Sequence, residues 1–389
     1  MKICHVLNMA NNGYHIVKAL RERGIDADLI IRSTDFGMAL PVWEEKEIDE
    51  DPYKIPFNVL IKKYGVPDYV KVWYEPLFST TRVNRKFPTP NWVRTLKKFI
   101  FKYQFTAPDL LNLAKKYDLL HLHPPSPLFL HFMNKPKIIH ESGWIRKIIH
   151  TDTVTEKIAR RSYARAKAVV WTNPDTYPLL AHLDIKRLEF IPFVVNPDQY
   201  KPLKTEKTEE LLFFHPARQV WDVKGNDRLL KAFSKFIQAG YKAKLRIIDW
   251  GWEEDVLLAK IFLTKEGLDD YVEWERPYSK PALVRAYNRC DAVFDQYLLG
   301  SGGTTCYEAM LCETPVVIHL NHWNEKCFGE MPPIMEASTV DEIYNAMVDL
   351  TDPKLRRKIG KSERKFTMRH NHPQVIADKL INLYKEVLQ

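Results

Sequence analysis

The chain has 389 residues, of which 45% are hydrophobic and 28% charged, and its net charge at neutral pH is +9. This length exceeds what one hydrophobic core usually serves, so two domains with a cleft between them are expected. The composition excludes a largely disordered protein, and the positive charge favours anionic partners such as nucleotide phosphates.

Two further features bear on location. No uncharged apolar stretch reaches the ~18 residues that a membrane-spanning helix needs. The five cysteines are scattered, which indicates neither a disulfide framework nor a zinc site. We therefore expect a cytoplasmic protein, with any membrane association at the cytoplasmic face.

The first half of the chain alternates between strand and helix patterns. An apolar run at 1–7 meets a turn that ends at Gly13, and an amphipathic stretch and a strand at 27–31 follow. Further strands are predicted at 119–122, 138–140, 168–171 and 188–191. This alternation predicts an α/β domain with a parallel, doubly wound sheet over residues 1–195.

The second half repeats the alternation. Strand patterns appear in LLFFH, KLRIID, YVEWE, AVFDQYL and TPVVIHL, which predicts a second α/β domain over 196–372. The polar segment 196–210, which contains two prolines, is the candidate linker. We expect the C-terminal helix, 373–389, to pack back onto the first domain.

Five segments occur in the order found in one enzyme family: IPFVVNPDQY, HPARQVWDVKGNDRLLKAF, KLRIIDWGWEEDVL, YVEWERPYSKPALVRAYNRCDAVF and YEAMLCETPVV. In this order the chain resembles the retaining glycosyltransferases of family 4 (group 1). The resemblance implies a GT-B fold, in which two Rossmann-like doubly wound domains face a cleft. It also implies transfer of a hexose from a nucleotide-sugar, with a UDP- or GDP-sugar as substrate, to a glycan or lipid-linked acceptor, with retention of anomeric configuration.

Arg218 and Lys224 are the first candidates for the donor site. They follow the first strand of the second domain, where parallel strands converge on a crevice and cations can bind a diphosphate. The resemblance gives the matching residues that role. Because negative charge builds on the departing diphosphate, both are also candidate catalytic residues. No metal-ligand pattern is visible, so we expect neither a metal nor a cofactor.

A glycine-rich run precedes a predicted helix, and its backbone N–H groups should form an anion site. Its donor-binding candidates are Ser301, Gly302, Gly303, Thr304 and Thr305. A second interpretation, compatible with the first, is a flexible loop capped by Thr304 or Thr305. The resemblance assigns the donor ribose to Glu308 and the base to the turn at Arg276 and Pro277.

In the first domain, Gly13 is a candidate donor contact, and His140 is a candidate catalytic residue at the end of a strand. His121 and His123 follow another strand and are further candidates. A histidine at such a position can bond sugar hydroxyls. The alternative is a histidine satisfied by a backbone carbonyl.

The chain also departs from the family. The family's first glutamate, which lies near the transferred sugar, is replaced by Gly300, and Asp249 replaces the first glycine of a Gly-x-Gly turn, which leaves Gly251. Two alternatives therefore stay open: a catalytically silent nucleotide-binding or scaffold protein, and a nucleotide-sugar epimerase. Nucleic-acid binding lacks a recognised motif.

Segment 91–108 contains four basic residues and five aromatic residues but no acid. On a helix, Phe101 and Phe105 fall beside basic residues, a pattern typical of a surface that contacts an anionic membrane or a lipid-linked acceptor. A solvated basic face is the alternative.

Overall fold

A computed structural model describes residues 1–33, 37–50, 55–73, 112, 114–205 and 209–389. It contains two sheets whose strand pairs are all parallel, each with helices packed against it. The predicted fold class, with two doubly wound α/β units, is confirmed. We call the units built on the two sheets the first and second domains. Segment 91–108 lies outside the described residues.

The first sheet has the strand order β3-β2-β1-β4-β5-β6-β7. Its strands are β1 (Lys2–Val6), β2 (Asp26–Arg32), β3 (Val70–Trp73), β4 (Leu119–Leu122), β5 (Lys137–Glu141), β6 (Ala168–Trp171) and β7 (Leu188–Phe190). The short edge strand β3 was not predicted from the sequence; the other six strands were.

The second sheet has the order β10-β9-β8-β11-β12-β13. Its strands are β8 (Leu211–His215), β9 (Ala243–Ile248), β10 (Val272–Glu275), β11 (Ala292–Phe294), β12 (Val316–Ile318) and β13 (Met335–Glu336). Strands such as β11 and β12 are continuous buried apolar runs because helices cover both faces of the sheet.

The helices that follow the strands of the first domain are α1 (Asn12–Glu22), α2 (Pro41–Glu45), α3 (Phe57–Tyr64), α4 (Pro127–Leu130), α5 (Ile145–Ile148), α6 (Val154–Arg165) and α7 (Tyr177–Ala181). Those of the second domain are α8 (Trp221–Lys224), α9 (Asn226–Gln238), α10 (Glu253–Lys265), α11 (Lys280–Arg289), α12 (Thr304–Leu311), α13 (Trp323–Phe328), α14 (Val340–Asp349) and α15 (Pro353–His370). Among the helices described, none is long and apolar enough to cross a membrane.

A final helix, α16 (Pro373–Leu388), follows the second domain but packs against α1 of the first. Its side chains Ile376, Leu380 and Leu383 are buried in the same core cluster as Val17 and Leu20 of α1. Their spacing of three to four residues places them on one face of the helix. The core of the first domain therefore includes a segment from the far end of the sequence.

In each sheet, successive strands are added first on one side of the starting strand and then on the other, so the strand order reverses at one point. It lies between β1 and β4 in the first sheet and between β8 and β11 in the second. At such points the loops after the two strands diverge and leave a crevice at the carboxyl ends, which is where open α/β sheets bind ligands. The two crevices place the candidate site.

Candidate donor-binding site at the interdomain cleft

Lys224 lies at the reversal point of the second sheet, at the end of the short helix α8. Its Nζ donates to Gln296 Oε1 at 2.9 Å and lies 3.8 Å from Asp295 Oδ1, both just after β11. Burial lowers the pKa of Lys224; Asp295 opposes this effect, and the positive charges of Arg218 and Arg146 add to it. The positive charges of two arginines therefore reach Lys224 at this crevice.

Arg218 follows β8 and is partly buried. Its guanidinium lies 6.0 Å from the ring centre of Trp250, which is within cation–π range. The loop around it is held by a bridge between Gln219 and Gly251, where a side chain on residue 251 would overlap the backbone of Gln219. This close approach explains why a glycine remains at 251 when the turn's other glycine has become Asp249.

The glycine-rich turn after β11 faces Lys224 and leads into α12. Gly300 has a φ of 74°, a left-handed conformation that favours glycine, and a Cβ there would meet Asn321 Nδ2 at 3.0 Å. The carbonyl oxygen of Gly300 accepts from Asn324 Nδ2 at 2.8 Å. Gln296 Nε2 donates to the carbonyl oxygen of Ser301. These bonds fix the turn in one conformation.

The start of α12 carries no side-chain cap. The N-cap residue is Gly303, and the first helical residues are Thr304 and Thr305. The interpretation in which a threonine caps this helix is therefore wrong: both threonines lie inside the first turn. Several N–H groups at the helix start lack an intrahelical acceptor, and the partial positive charge there favours an anion. A Cβ on Gly302 would lie only 3.1 to 3.3 Å from side-chain atoms of the same helix, so the turn packs closely against α12.

Glu308 is buried one turn inside α12, with 3% of its surface exposed. Lys280 Nζ donates to Oε1 at 2.5 Å, and the Tyr287 hydroxyl donates to Oε2 at 3.1 Å. Burial alone lowers the pKa of Lys280, but the charges of Glu308 and Glu44 outweigh it and raise the pKa. The sequence did not indicate Lys280, whose charge makes the burial of Glu308 tolerable.

Arg276 and Pro277 form the turn after β10. The Arg276 side chain is exposed and forms an ion pair with Asp49 of the first domain, with Nη2 at 3.2 Å from Oδ1. Nearby, Ser279 Oγ accepts from the backbone N–H of Ile48 at 3.1 Å. The structure thus places this turn at the edge of the cleft, in contact with the loop after α2.

Gly13 lies in the first turn of α1 and is buried there. A Cβ at Gly13 would meet the carbonyl oxygen of Leu7 at 2.9 Å, so glycine allows the helix to approach the end of β1. In the connecting loop Leu7, Ala10 and Asn11 all have positive φ, at 71°, 50° and 55°. Strain of this kind concentrates at functional sites, where the surrounding structure enforces it.

His140, at the end of β5, is fully buried. Its Nε2 lies 3.0 Å from Asn12 Nδ2, at the start of α1, and its Nδ1 lies 3.0 Å from His121 Nε2. Because the Asn12 amide donates to Nε2, the hydrogen of a neutral His140 is on Nδ1. With both nitrogens occupied, His140 reaches a ligand in the cleft only through Asn12 or after that bond opens.

The same chain of hydrogen bonds continues to the C-terminal helix. His121 Nδ1 lies 2.6 Å from the hydroxyl of Tyr384, which lies 3.1 Å from Nε2 of His5. His5 Nδ1 lies 3.0 Å from His123 Nε2. Starting from Asn12, each neutral ring can donate to the next acceptor, so one set of tautomers satisfies every bond in the series.

Among the described residues, one ring nitrogen from each of His5, His121 and His123 lies within 4.8 Å of the other two, a spacing that a metal ion could use. The hydrogen bonds already engage these three rings, and neutral rings suffice to form them. Burial lowers the pKa of His123 to about 3, and it holds those of His5 and His121 well below their usual range. We interpret the group as a neutral hydrogen-bonded network.

One contact joins the two domains beside the glycine-rich turn. Asp175, which follows β6, accepts a hydrogen bond of 2.5 Å from Ser301 Oγ on its Oδ1. The same carboxylate binds Arg146 through two bonds, at 2.7 and 2.5 Å. Neither Asp175 nor Arg146 was indicated by the sequence, because their proximity to Ser301 depends on how the domains meet.

Residues 198–366 match the family model described as Glycosyl transferases group 1. The second domain is a group 1 glycosyltransferase domain. This match covers the β8 to α15 region, including Lys224, the glycine-rich turn and Glu308. No protein of curated function matches the sequence.

Solved structures share the fold over the whole chain. Sucrose-phosphate synthase from Thermosynechococcus elongatus has a TM-score of 0.67 at 14% identity, covering 100% of this chain and 99% of that one. HepE from Anabaena, in complex with UDP and glucose, has a TM-score of 0.69 at 15% identity, covering 99% and 100%. TarM from S. aureus has a TM-score of 0.66 at 12% identity, covering 99% of this chain and 100% of that one. The fold is therefore GT-B.

Proposed function

We propose that this protein transfers a sugar from a nucleotide-sugar donor to an acceptor at the first-domain side of the cleft, with retention of anomeric configuration. The observation that carries the proposal is the crevice at the reversal point of the second sheet. There the largely buried amine of Lys224 lies beside the turn that leads into the uncapped start of α12. Both features favour an anion, and a donor diphosphate has the required charge.

The departing diphosphate is where catalysis needs the protein most. As the bond to the sugar breaks, negative charge grows on the leaving oxygen, and fixed positive groups stabilise that charge without rearranging. Arg218, Lys224 and the N–H groups of the Ser301 to Thr305 turn would provide this stabilisation. The lowered pKa of Lys224 is consistent with a site where an anionic ligand would compensate neighbouring positive charges.

We assign the donor ribose to Glu308. Lys280 and Tyr287 each occupy one of its oxygens, but a carboxylate oxygen can accept a second hydrogen bond, so both ribose hydroxyls can still be bound. The contact with Lys280 fixes the orientation of the carboxylate. The base would lie against the turn of Arg276 and Pro277, which Asp49 holds from the opposite domain.

The first domain would contact the sugar and the acceptor. The close approach at Gly13 brings the start of α1 to the end of β1, and His140 would act by orienting the Asn12 amide. The acceptor would be a glycan or a lipid-linked glycan. A UDP-sugar is our first choice of donor, ahead of a GDP-sugar, because the similar HepE structure contains UDP and glucose.

Thermal denaturation in the presence of UDP-, GDP- and ADP-linked sugars tests the donor site. A ligand at 100 times its Kd should raise the melting temperature of a domain of this size by about 5 to 10 °C. Lys224→Met and Arg218→Ala should lose this rise, whereas Lys231→Met, which removes an exposed lysine of α9, should keep it. If no donor raises the melting temperature of the wild type, the site assignment is wrong.

A second function is favoured by one observation. Gly300 stands where the resembling family has a glutamate near the transferred sugar, and its φ of 74° suits glycine. A protein that binds the donor without turnover is therefore the competing candidate. Release of free nucleoside diphosphate in the presence of glycan acceptors separates the two: binding with no release beyond that from the Lys224→Met variant would favour the silent protein.

A further inference from the structure

Arg146 extends from the first domain toward two cations of the second domain, Arg218 and Lys224. It lies in α5, just after the loop that follows β5, and 24% of its side chain is exposed. Its guanidinium lies directly over Gly143, where any Cβ would overlap Nη1. Gly143 has a φ of 95°, which also favours glycine. The backbone thus leaves space for this one side chain.

Asp175 fixes the direction of Arg146. The carboxylate accepts from Nε at 2.7 Å and from Nη2 at 2.5 Å, a bidentate arrangement that holds the guanidinium plane. Among the described residues, Nη1 has no hydrogen-bond acceptor. One N–H face of Arg146 is therefore available to a ligand while the other is held.

The location of this pair relates it to the donor site. Asp175 also accepts from Ser301 Oγ, in the glycine-rich turn of the second domain. The charge of Arg146 acts on Lys224, together with that of Arg218. The two domains therefore bring Arg146, Arg218 and Lys224 to one crevice from opposite walls.

We propose that Arg146 is a third cationic ligand of the donor diphosphate, supplied by the first domain and oriented by Asp175. This inference rests on the proposed function, because it deepens the description of the same site. A diphosphate presents oxygens on several sides, and cations from one domain reach only some of them. Arg146 would bind the side that faces the first domain, so full stabilisation of the leaving group requires the two domains to be in contact.

The test compares nucleoside diphosphates with monophosphates by isothermal titration calorimetry. UDP, GDP, UMP and GMP are titrated into wild type, Arg146→Met, Arg146→Lys and the control Lys147→Met, which removes an exposed lysine of the same helix. Arg146→Met should weaken binding of the preferred diphosphate by about tenfold or more, as expected for a lost charged hydrogen bond. Binding of the matching monophosphate should change less, and Arg146→Lys should show an intermediate loss.

Asp175 is a positioning residue in this proposal, and a double-mutant cycle tests that role. Asp175→Asn should weaken diphosphate binding less than Arg146→Met does, and the double variant should bind no more weakly than Arg146→Met alone. Additive losses would show that Asp175 does not act through Arg146. Circular dichroism confirms folding of each variant, and Arg146→Lys keeps the test decisive if Arg146→Met does not fold.

The outcomes separate this inference from the proposed function. If Lys224→Met loses diphosphate binding while Arg146→Met binds as tightly as wild type, the donor site stands and the role of Arg146 is wrong. If the wild type binds none of the four nucleotides and no ADP-linked sugar raises its melting temperature, both proposals are wrong. An equal loss for diphosphate and monophosphate in Arg146→Met would also overturn the inference, because it would indicate general damage to the site.

Discussion

The two walls of the cleft are built on the same kind of parallel sheet but use different chemistry at the reversal point. The first-domain wall is backed by four buried histidines and Tyr384, joined by hydrogen bonds between groups that are neutral at physiological pH. The second-domain wall contains buried charges, including Lys224 and the Lys280 to Glu308 pair. A neutral network holds geometry, whereas a charged crevice attracts an ionic ligand, so the fold divides these two tasks between its domains.

Acidification should destabilise the histidine network of the first domain, and it is the largest effect that we expect. Burial lowers the pKa of His123 to about 3 and that of His215, in the second domain, to about 4, and those of His5, His121 and His140 are lowered as well. Unfolded histidines titrate near 6.5, so the unfolded chain binds protons that the folded chain cannot. The contribution of these histidines to the free energy of unfolding is therefore fully present above pH ~6.5. It is lost as the pH falls toward their pKa values in the folded state, by about 2 kcal/mol for His123 alone at pH 5.

Urea denaturation at pH 7, 6 and 5 measures this loss. His123→Asn should reduce the slope of stability against pH by the share of one histidine. The exposed His182 provides the control, since His182→Gln should leave the slope unchanged. A wild-type stability that stays constant between pH 7 and 5 would show that the cluster is not neutral and buried in solution.

Removing one partner of the buried ion pair tests the second wall. Glu308→Ala leaves the buried Lys280 ammonium without the carboxylate that it bonds directly, so the free energy of unfolding should fall by about 3 kcal/mol. Asp341→Ala breaks the exposed pair with Lys235 and should cause no measurable loss. Combining Glu308→Ala with Lys280→Met should restore much of the stability but not donor binding. A single variant as stable as wild type would contradict the paired burial.

A smaller effect should follow when the first network loses its bridge. Tyr384→Phe keeps the ring but removes the hydroxyl between His5 and His121, which leaves ring nitrogens buried without partners. The expected cost is about 2 kcal/mol in urea denaturation. Tyr344→Phe, on the partly exposed α14, is the matched control and should cost far less. Equal losses of stability in the two variants would show that the Tyr384 hydroxyl does not stabilise the network.

The sequence predicted best what is encoded locally. Arg218, Lys224, the Ser301 to Thr305 turn and Glu308 lie within segments where a strand, a turn and a helix follow one another, so the alternation of elements predicts that each follows a strand of the second sheet. Their shared role in binding a donor stays a prediction. Six of the seven strands in the first sheet were predicted for the same reason. The missed strand, β3, is an edge strand of four residues that includes the exposed Lys71, so it lacks a long apolar run.

Contacts between distant segments could not be predicted in this way. Lys280 was missed because its partner lies on another helix, and Arg146 and Asp175 were missed because they meet Ser301 only across the cleft. His121, His123 and His140 were noticed as strand ends, but His5 and Tyr384 were not. The spacing within one segment carries no information about a hydroxyl that arrives from the opposite end of the chain.

The return of α16 to the first domain also affects the order of events during synthesis. During synthesis, domains usually fold in the order in which they are made, the N-terminal domain first. Here the helix that supplies Ile376, Leu380 and Tyr384 is translated only after the whole second domain. The second domain can therefore fold while part of the core of the first domain is still exposed. The first domain is then the one in greater need of a chaperone.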